Sequence, residues 1–382
     1  MSYSEVTGHR SMLFDGVRNA AYARALKKVV GPETTVMDLG AGLGVHGLTA
    51  AKLGAAAVHL VEPTPVVEVA RLVAQANGLS NVHCHQCRAE DLQLDHRVDV
   101  IVSVFTGNFL LTEDLLHSLF YARDKFLAPS GYMIPDRGRM EVVPVAAAAY
   151  YEKYIDGWAT FPEHAAQHKE PELDYAAVRS FAANTLYYDT RENIAATPLA
   201  AAVELMELDF TTAATASCDS EVVVEIEQDG TLHGWLGWFQ MRLGGEWLST
   251  SGEPYVTHWS PVFLPLDKPL QLKAGEKLGF ALKRPEFGEW TWTTRHGEAR
   301  QRQSTFLSQP VSPDMLHKAS DRYQPVLSKR GEAAQWLLGQ MRGAATPTQL
   351  AARLFKLYPT VWFSNEEALR FVKGLVDNYS ET

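Results

Sequence analysis

A run of glycines between a strand pattern and a helix pattern does most to limit what this chain can fold into. Asp38-Leu39-Gly40-Ala41-Gly42-Leu43-Gly44 ends an apolar strand and opens a helical segment. Glycine is needed where backbone must turn sharply and let a ligand approach closely. From Thr35 to Arg137 short apolar segments (36–39, 57–61, 82–84 and 98–102) alternate with amphipathic helices, notably around 66–75 and 115–126. That alternation predicts βαβ units and a parallel sheet. Ahead of it, residues 9–29 read as one helix, with Met12, Leu13, Val17, Ala21 and Ala25 at helical spacing.

Beyond Pro135 the texture changes. Apart from a helix-like stretch at 147–154, β patterns run to about residue 307, including 222–226, 234–239 and 289–293. Pro261, Pro265, Gly275 and Gly279 punctuate further short strands, which predicts a barrel or sandwich. Asp229-Gly230 reads as a hairpin turn between two strands. A polar, Pro-containing insertion with a weak helix covers 158–190. From about Met315 the chain is helical again, over 333–341, 350–357 and 366–379. Thr346-Pro347 and Ser364-Asn365-Glu366 supply cap chemistry for the last two. The expected organisation is 1–137, 138–310 and 311–382.

Length and charge narrow the function classes. At 382 residues the chain suits two domains and a small third, and 46% hydrophobic with 21% charged residues is a globular composition. A net charge of -10 argues against a general nucleic-acid surface, which needs clustered Lys and Arg. No apolar run is long enough to span a bilayer, and the N-terminus lacks the pattern of a signal peptide. With three cysteines, an odd number, the expected setting is the cytoplasm.

The loop alone leaves the cofactor open. Gly42-Leu43-Gly44-Val45-His46-Gly47 also satisfies the dinucleotide G-x-G-x-x-G pattern, and Glu62 is the acid that both cofactor classes want for ribose hydroxyls. The neighbours favour one class. The acid followed by G-x-G-x-G resembles the first motif of S-adenosylmethionine enzymes, and Arg88-Ala89-Glu90-Asp91 resembles the segment whose Glu takes the adenine amino group. That likeness assigns adenine to Glu90, with the Ala89 amide as a second contact.

Four further segments, in order, resemble the protein arginine methyltransferase family. His9-Arg10-Ser11-Met12-Leu13-Phe14-Asp15-Gly16-Val17-Arg18 resembles its cofactor lid, with Tyr3, His9, Met12, Asp15, Arg18 and Tyr22 at matching positions. Residues 103–113 resemble the loop that carries two glutamates, and 119–136 the run into the barrel. Thr257-His258-Trp259 matches the barrel's Thr-His-Trp loop. The likeness covers about residues 3–307. It implies a Rossmann-like methyltransferase domain followed by a β-barrel, with the 158–190 insertion as a dimerisation arm and a homodimer as the assembly. It further implies S-adenosylmethionine as cofactor, held by His9, Arg18, Asp38, Gly40, Gly42, Glu62, Ala89 and Glu90. Arg18 would clamp the cofactor carboxylate bidentately. Glu113, His258 and Asp15 would be catalytic, His258 hydrogen-bonding Asp15 as a dyad. Tyr3, Met12, Val104, Phe105, Asn108 and Trp259 would line the acceptor pocket.

One departure bears on the acceptor. The first of the family's two glutamates is Val104 here, and the aromatic after it is Phe105 rather than Trp. A guanidinium is always charged, so a pocket with one carboxylate receives it poorly, whereas a neutral imidazole has a free lone pair. The acceptor expected on this ground is a side-chain nitrogen of a peptide or amino-acid-like molecule, with histidine imidazole leading. Arginine methylation is the alternative, and a catalytically weakened, cofactor-binding regulator or scaffold is another.

His83-Cys84-His85-Gln86-Cys87 looks like a metal box, but no second Cys or His pair follows at zinc-site spacing, so no metal is expected. The tail around 346–354 is faintly similar to small winged-helix and peptide-recognition modules. Extra helices packing on the barrel are the other reading.

Overall fold

The computed structural model describes residues 5–168, 173–252 and 256–380. Two compact units divide the chain, Met1–Pro310 and Val311–Thr382.

The first unit opens with a short 3-10 turn, Val6–His9, then α1 (Arg10–Leu13) and α2 (Gly16–Val29). The single helix expected over 9–29 is therefore broken at Phe14 and Asp15. The cause is local: the Asp15 carboxylate accepts the Arg18 backbone N–H at 2.9 Å and caps α2.

A parallel sheet follows, built from β1 (Thr35–Leu39), β2 (Ala57–Val61), β3 (Val82–His85), β4 (Val98–Ser103) and β5 (Leu127–Ile134). Its order is β3-β2-β1-β4-β5. The crossover helices are α3 (Val45–Lys52), α4 (Val67–Ala76) and α5 (Leu116–Phe126). Because the order reverses between β1 and β4, the crevice beyond their carboxyl ends is where such a sheet binds ligands. Leu39 of β1 pairs with Ser103 of β4 and Val61 of β2. The glycine loop, the Val104 loop and Glu62 therefore leave the sheet side by side.

The antiparallel strands begin with β6 (Arg137–Ala146), which continues directly from the Rossmann-like sheet. After α6 (Ala148–Tyr154) the insertion holds α7 (Phe161–His168), α8 (Arg179–Ala182) and the two-residue β7 (Tyr187–Tyr188). Next come α9 (Arg191–Ile194), β8 (Thr197–Pro198), β9 (Val203–Asp209), β10 (Cys218–Glu225), β11 (Gly230–Leu243) and β12 (Glu246–Ser249). The barrel finishes with β13 (Val262–Leu272), β14 (Lys277–Arg284), β15 (Thr291–His296) and β16 (Ala299–Ser304). One sheet runs β7-β13-β11-β6-β8, and a second runs β10-β14-β15-β16. β11 is buried on both faces, since Trp235 and Phe239 enter the main core while Leu236 and Trp238 pack with Tyr150 and Tyr151 of α6.

The hairpin expected at Asp229-Gly230 does not form, because β10 and β11 lie in different sheets. The link between them is a corner where the chain changes sheets. Asp229 accepts from the Ala274 N–H and from Lys273 Nζ, each at 2.9 Å, tying this corner to the one between β13 and β14. Gly230 is the first residue of β11 and pairs with Leu272.

The second unit contains α10 (Pro313–Lys318), α11 (Lys329–Gln340), α12 (Pro347–Leu357) and α13 (Asn365–Tyr379). Thr346 forms a capping box with Gln349, and Ser364 caps α13. Leu337, Leu350, Leu354, Trp362 and Val372 form its own core. Among the described residues it has no strand, so the wing of a winged helix is missing.

Candidate active site

The three loops at the carboxyl ends of β1, β2 and β4 meet the lid and the Thr-His-Trp loop around one cavity of about 410 Å³. That lies within the roughly 300–1,000 Å³ of pockets that hold small molecules. His9, Met12, Arg18, Asp38, Gly40, Gly42, Glu62, Val104, Phe105, Asn108, Glu113, His258 and Trp259, all expected at the site, are in its wall.

The glycine loop is shaped by its neighbours. Gly40 and Gly42 take φ of +70° and +52°, conformations that side chains rarely adopt. A Cβ on Gly40 would lie 2.1 Å from the Phe105 ring, and one on Gly42 would lie 2.9 Å from His9. The loop is also tied down by carboxylates. Glu62 accepts the Gly42 N–H at 3.1 Å and the Thr64 N–H at 2.9 Å. Buried Asp38 accepts the Gly47 N–H of α3 at 2.7 Å. Burial pushes the Asp38 carboxyl up to about 7, against the pull of the Gly47 bond and Arg18.

Arg18 is 2% exposed. Its Nη2 donates to Met12 O at 2.7 Å and Asn19 Oδ1 at 2.9 Å, and its Nε donates to Asn19 Oδ1 at 3.1 Å. Among the described residues no acceptor engages Nη1. A two-nitrogen fork toward a carboxylate is thus not what these bonds leave, and Nη1 is the nitrogen they spare. Asn19, unremarked in the sequence, is what aims the guanidinium.

Lid and barrel are joined by Asp15 and His258. Asp15 Oδ2 lies 2.8 Å from His258 Nδ1 and accepts the His258 backbone N–H at 2.8 Å, while Oδ1 takes the Arg18 N–H. Burial pushes the Asp15 carboxyl up, but bonds from the His258 ring and the two backbone N–H groups outweigh it and hold the carboxyl below its ordinary range. Asn108 ties the β4 loop to the same barrel loop, accepting the Ser260 N–H at 3.1 Å.

Of the three carboxylates in the wall, Asp38 and Glu62 are bonded to backbone N–H groups beside the glycine loop. Glu113 is the one from the β4 loop, where Val104 is half-buried. Ala89 and Glu90 are not brought into the wall. They follow β3, the outermost strand, two strands from the β1–β4 crevice, and exposed Glu90 accepts from Ser118 Oγ at 2.7 Å. Tyr3 lies outside the described residues.

The metal box has a partner that its spacing conceals. His59 of β2 pairs with His83 in the sheet, and its Nδ1 lies 3.0 Å from His85 Nε2, with the His96 ring 5.4 Å away. Even so, among the described residues no three His, Cys, Asp or Glu side chains are placed to hold a metal ion. The cluster has a pH consequence. Burial, then the positive fields of His85, His83 and His96, pushes His59 down from the usual 6.5 to about 4. Unfolded chain therefore binds the proton more readily, so stability is full above pH 6.5 and is lost as pH falls toward 4. At about 1.36 kcal/mol per pH unit between folded and unfolded values, on the order of 3 kcal/mol is involved. Urea midpoints should fall over that window in the wild type and much less in His59→Gln. Equal slopes in both proteins would refute the assignment.

The residues fit an S-adenosyl cofactor: a glycine cradle that any Cβ would block, a guanidinium for a carboxylate, and an acid at the end of β2 for ribose hydroxyls. Comparison with known proteins agrees. Residues 31–168 match the family model for a methyltransferase domain, and 136–286 match the arginine methyltransferase oligomerization subdomain. The chain is 28% identical to protein arginine N-methyltransferase 2 of Xenopus tropicalis over 346 residues, covering 86% of this chain and 75% of that one. It is also 28% identical to protein arginine N-methyltransferase 1.1 of Arabidopsis thaliana, over 72% of this chain and 71% of the relative. Among solved structures it is similar to the Trypanosoma brucei PRMT1 enzyme-prozyme heterotetrameric complex with AdoHcy. There the TM-score is 0.70 at 25% identity, covering 80% of this chain and 99% of the other. A Rossmann-like sheet run into an antiparallel barrel, a glycine cradle facing a lid arginine, and these matches across both domains lead to one conclusion: this chain belongs to the protein arginine methyltransferase family and is an S-adenosylmethionine-dependent methyltransferase.

Proposed function

We propose that the chain methylates arginine side chains of peptides or proteins. The observation that carries this reading is the convergence of Glu113, from the β4 loop, and His258, held from behind the wall by Asp15, on one cavity. The names of the relatives, all arginine N-methyltransferases, support arginine over other acceptors.

S-adenosylmethionine supplies a sulfonium methyl. Arg18, Glu62 and the glycine loop hold the cofactor side of the cavity. Glu113 binds the acceptor and draws its positive charge to one side, leaving the far nitrogen's electron pair aimed at the methyl carbon. Arg18, Glu62 and the glycine loop would hold the cofactor while it gives up its methyl group to the acceptor nitrogen and keeps the electron pair of the C–S bond on sulfur. The methylated nitrogen then gives up a proton, and His258, oriented through Nδ1 by Asp15, relays it. Association through the 158–190 insertion is part of the proposal, supported by exposed Trp158, Leu173 and Tyr175 and by the oligomerization subdomain match.

Val104 favours a second reading. Exposed Glu113 is the one carboxylate among the described residues that the β4 loop brings to the cavity wall, and a neutral imidazole acceptor needs no second one. Labelled methyl transfer to matched peptides differing only in Arg or His separates the two. Label on arginine supports the first reading, and Val104→Glu should then raise kcat/KM for the arginine peptide roughly tenfold, about 1.4 kcal/mol. Label on histidine alone would overturn it in favour of imidazole.

A further inference from the structure

The loop that carries Glu113 is bent in a way its own sequence does not support. Leu110 and Asp114 have φ of +52° and +55°, two of only four such non-glycine residues among those described. Asp tolerates the left-handed region, but Leu does so poorly, and such conformations persist only when surrounding structure holds them. Leu110 and Asp114 stand on either side of the segment that presents Glu113 to the cavity.

What holds the far end is the barrel. Arg284, the last residue of β14, sends Nη1 to Asp114 Oδ1 at 2.5 Å and Nη2 to Oδ2 at 2.6 Å, a parallel two-bond pair. The Arg284 side chain is 4% exposed and that of Asp114 26%. The Phe287 N–H adds a third bond to Asp114 Oδ1 at 3.2 Å. Trp290 lies 5.6 Å from the guanidinium and stacks on Phe109 at 5.2 Å, so the barrel grips the loop before its bend as well. From β7, the Tyr188 hydroxyl reaches Thr112 Oγ1 at 3.4 Å. The Arg284 bonds hold the Asp114 carboxyl below its ordinary range.

We propose that Arg284 and Asp114 are positioning residues: an ionic clamp from the barrel that keeps the 110–114 bend closed and Glu113 turned to the methyl acceptor. Neither residue lines the cavity wall. The clamp acts through Glu113 and leaves the cofactor side alone, because Arg18, Glu62 and the glycine loop are held by their own bonds. The inference rests on the proposed role of Glu113.

The test uses full-length Asp114→Asn, which keeps shape and removes charge, and Arg284→Lys, which keeps charge and removes the parallel pair. Two readouts are taken, steady-state kinetics with an accepted peptide and hydrogen exchange across 108–115. Asp114→Asn should lower kcat about tenfold, leave the affinity for S-adenosylhomocysteine within about twofold, and speed exchange in this loop. Arg284→Lys should fall between it and the wild type. Wild-type kinetics and unchanged exchange would overturn the clamp, and so would a loss of cofactor affinity as large as the loss of kcat. Faster exchange in the loop, with no methylation of Arg or His peptides by the wild type, would uphold the clamp and reject the proposed role of Glu113.

Discussion

Glu113→Gln should lower kcat by about 10²–10³ while S-adenosylhomocysteine binds as before. The side chain keeps its size and a hydrogen-bonding oxygen but loses the charge that stabilises developing positive charge on the acceptor, and removing one such preorganised group costs about that much. The other acids of the cavity cannot compensate. Asp38 and Glu62 are already accepting from Gly47, Gly42 and Thr64 backbone N–H groups on the cofactor side. Single-turnover methyl transfer by the variant, with the cofactor saturating, is the measurement. A rate near that of the wild type would remove Glu113 from the chemistry.

Arg18→Ala should weaken S-adenosylhomocysteine binding roughly 10–150-fold, the equivalent of the 1.5–3 kcal/mol expected for a hydrogen bond to a charged group. Arg18→Lys should recover part of this, since it restores charge without the guanidinium's fixed geometry. The variants also remove the bonds from Arg18 to Met12 O and Asn19, so thermal stability must be recorded alongside. A drop in affinity with little change in melting temperature identifies a cofactor contact. Affinity lost only in step with folding would make Arg18 a brace for the lid.

Much of this site was legible in the residues because the loops that build it are contiguous and chemically distinctive. Gly40 and Gly42 sit where only glycine is tolerated, and Asp15 with His258, 243 positions apart, meet as the resemblance implied. What escaped notice depends on contacts that no local pattern encodes. Asn19 matters because of where α2 turns after Asp15 breaks the first helix, and Arg284 matters because the end of β14 lands beside Asp114. Asp229-Gly230 has good hairpin chemistry, yet the pairing it would make is beaten by β10 joining β14 and β11 joining β6 and β13. His59 was invisible next to His83 and His85 until sheet register set it against them. Ala89 and Glu90 follow the edge strand β3 and lie outside this cavity wall, because motif order along the chain does not state how far an edge strand lies from the switch point.

The central claim is that one cavity is divided, with Arg18 and Glu62 on the cofactor side and Glu113 on the acceptor side. Calorimetric titration of S-adenosylhomocysteine into wild type, Arg18→Ala and Glu113→Gln tests it most directly. One site per chain is expected, with affinity in Glu113→Gln within about twofold of wild type and in Arg18→Ala at least about tenfold weaker, about 1.4 kcal/mol. Equal losses in both variants, or none in Arg18→Ala, would contradict the division.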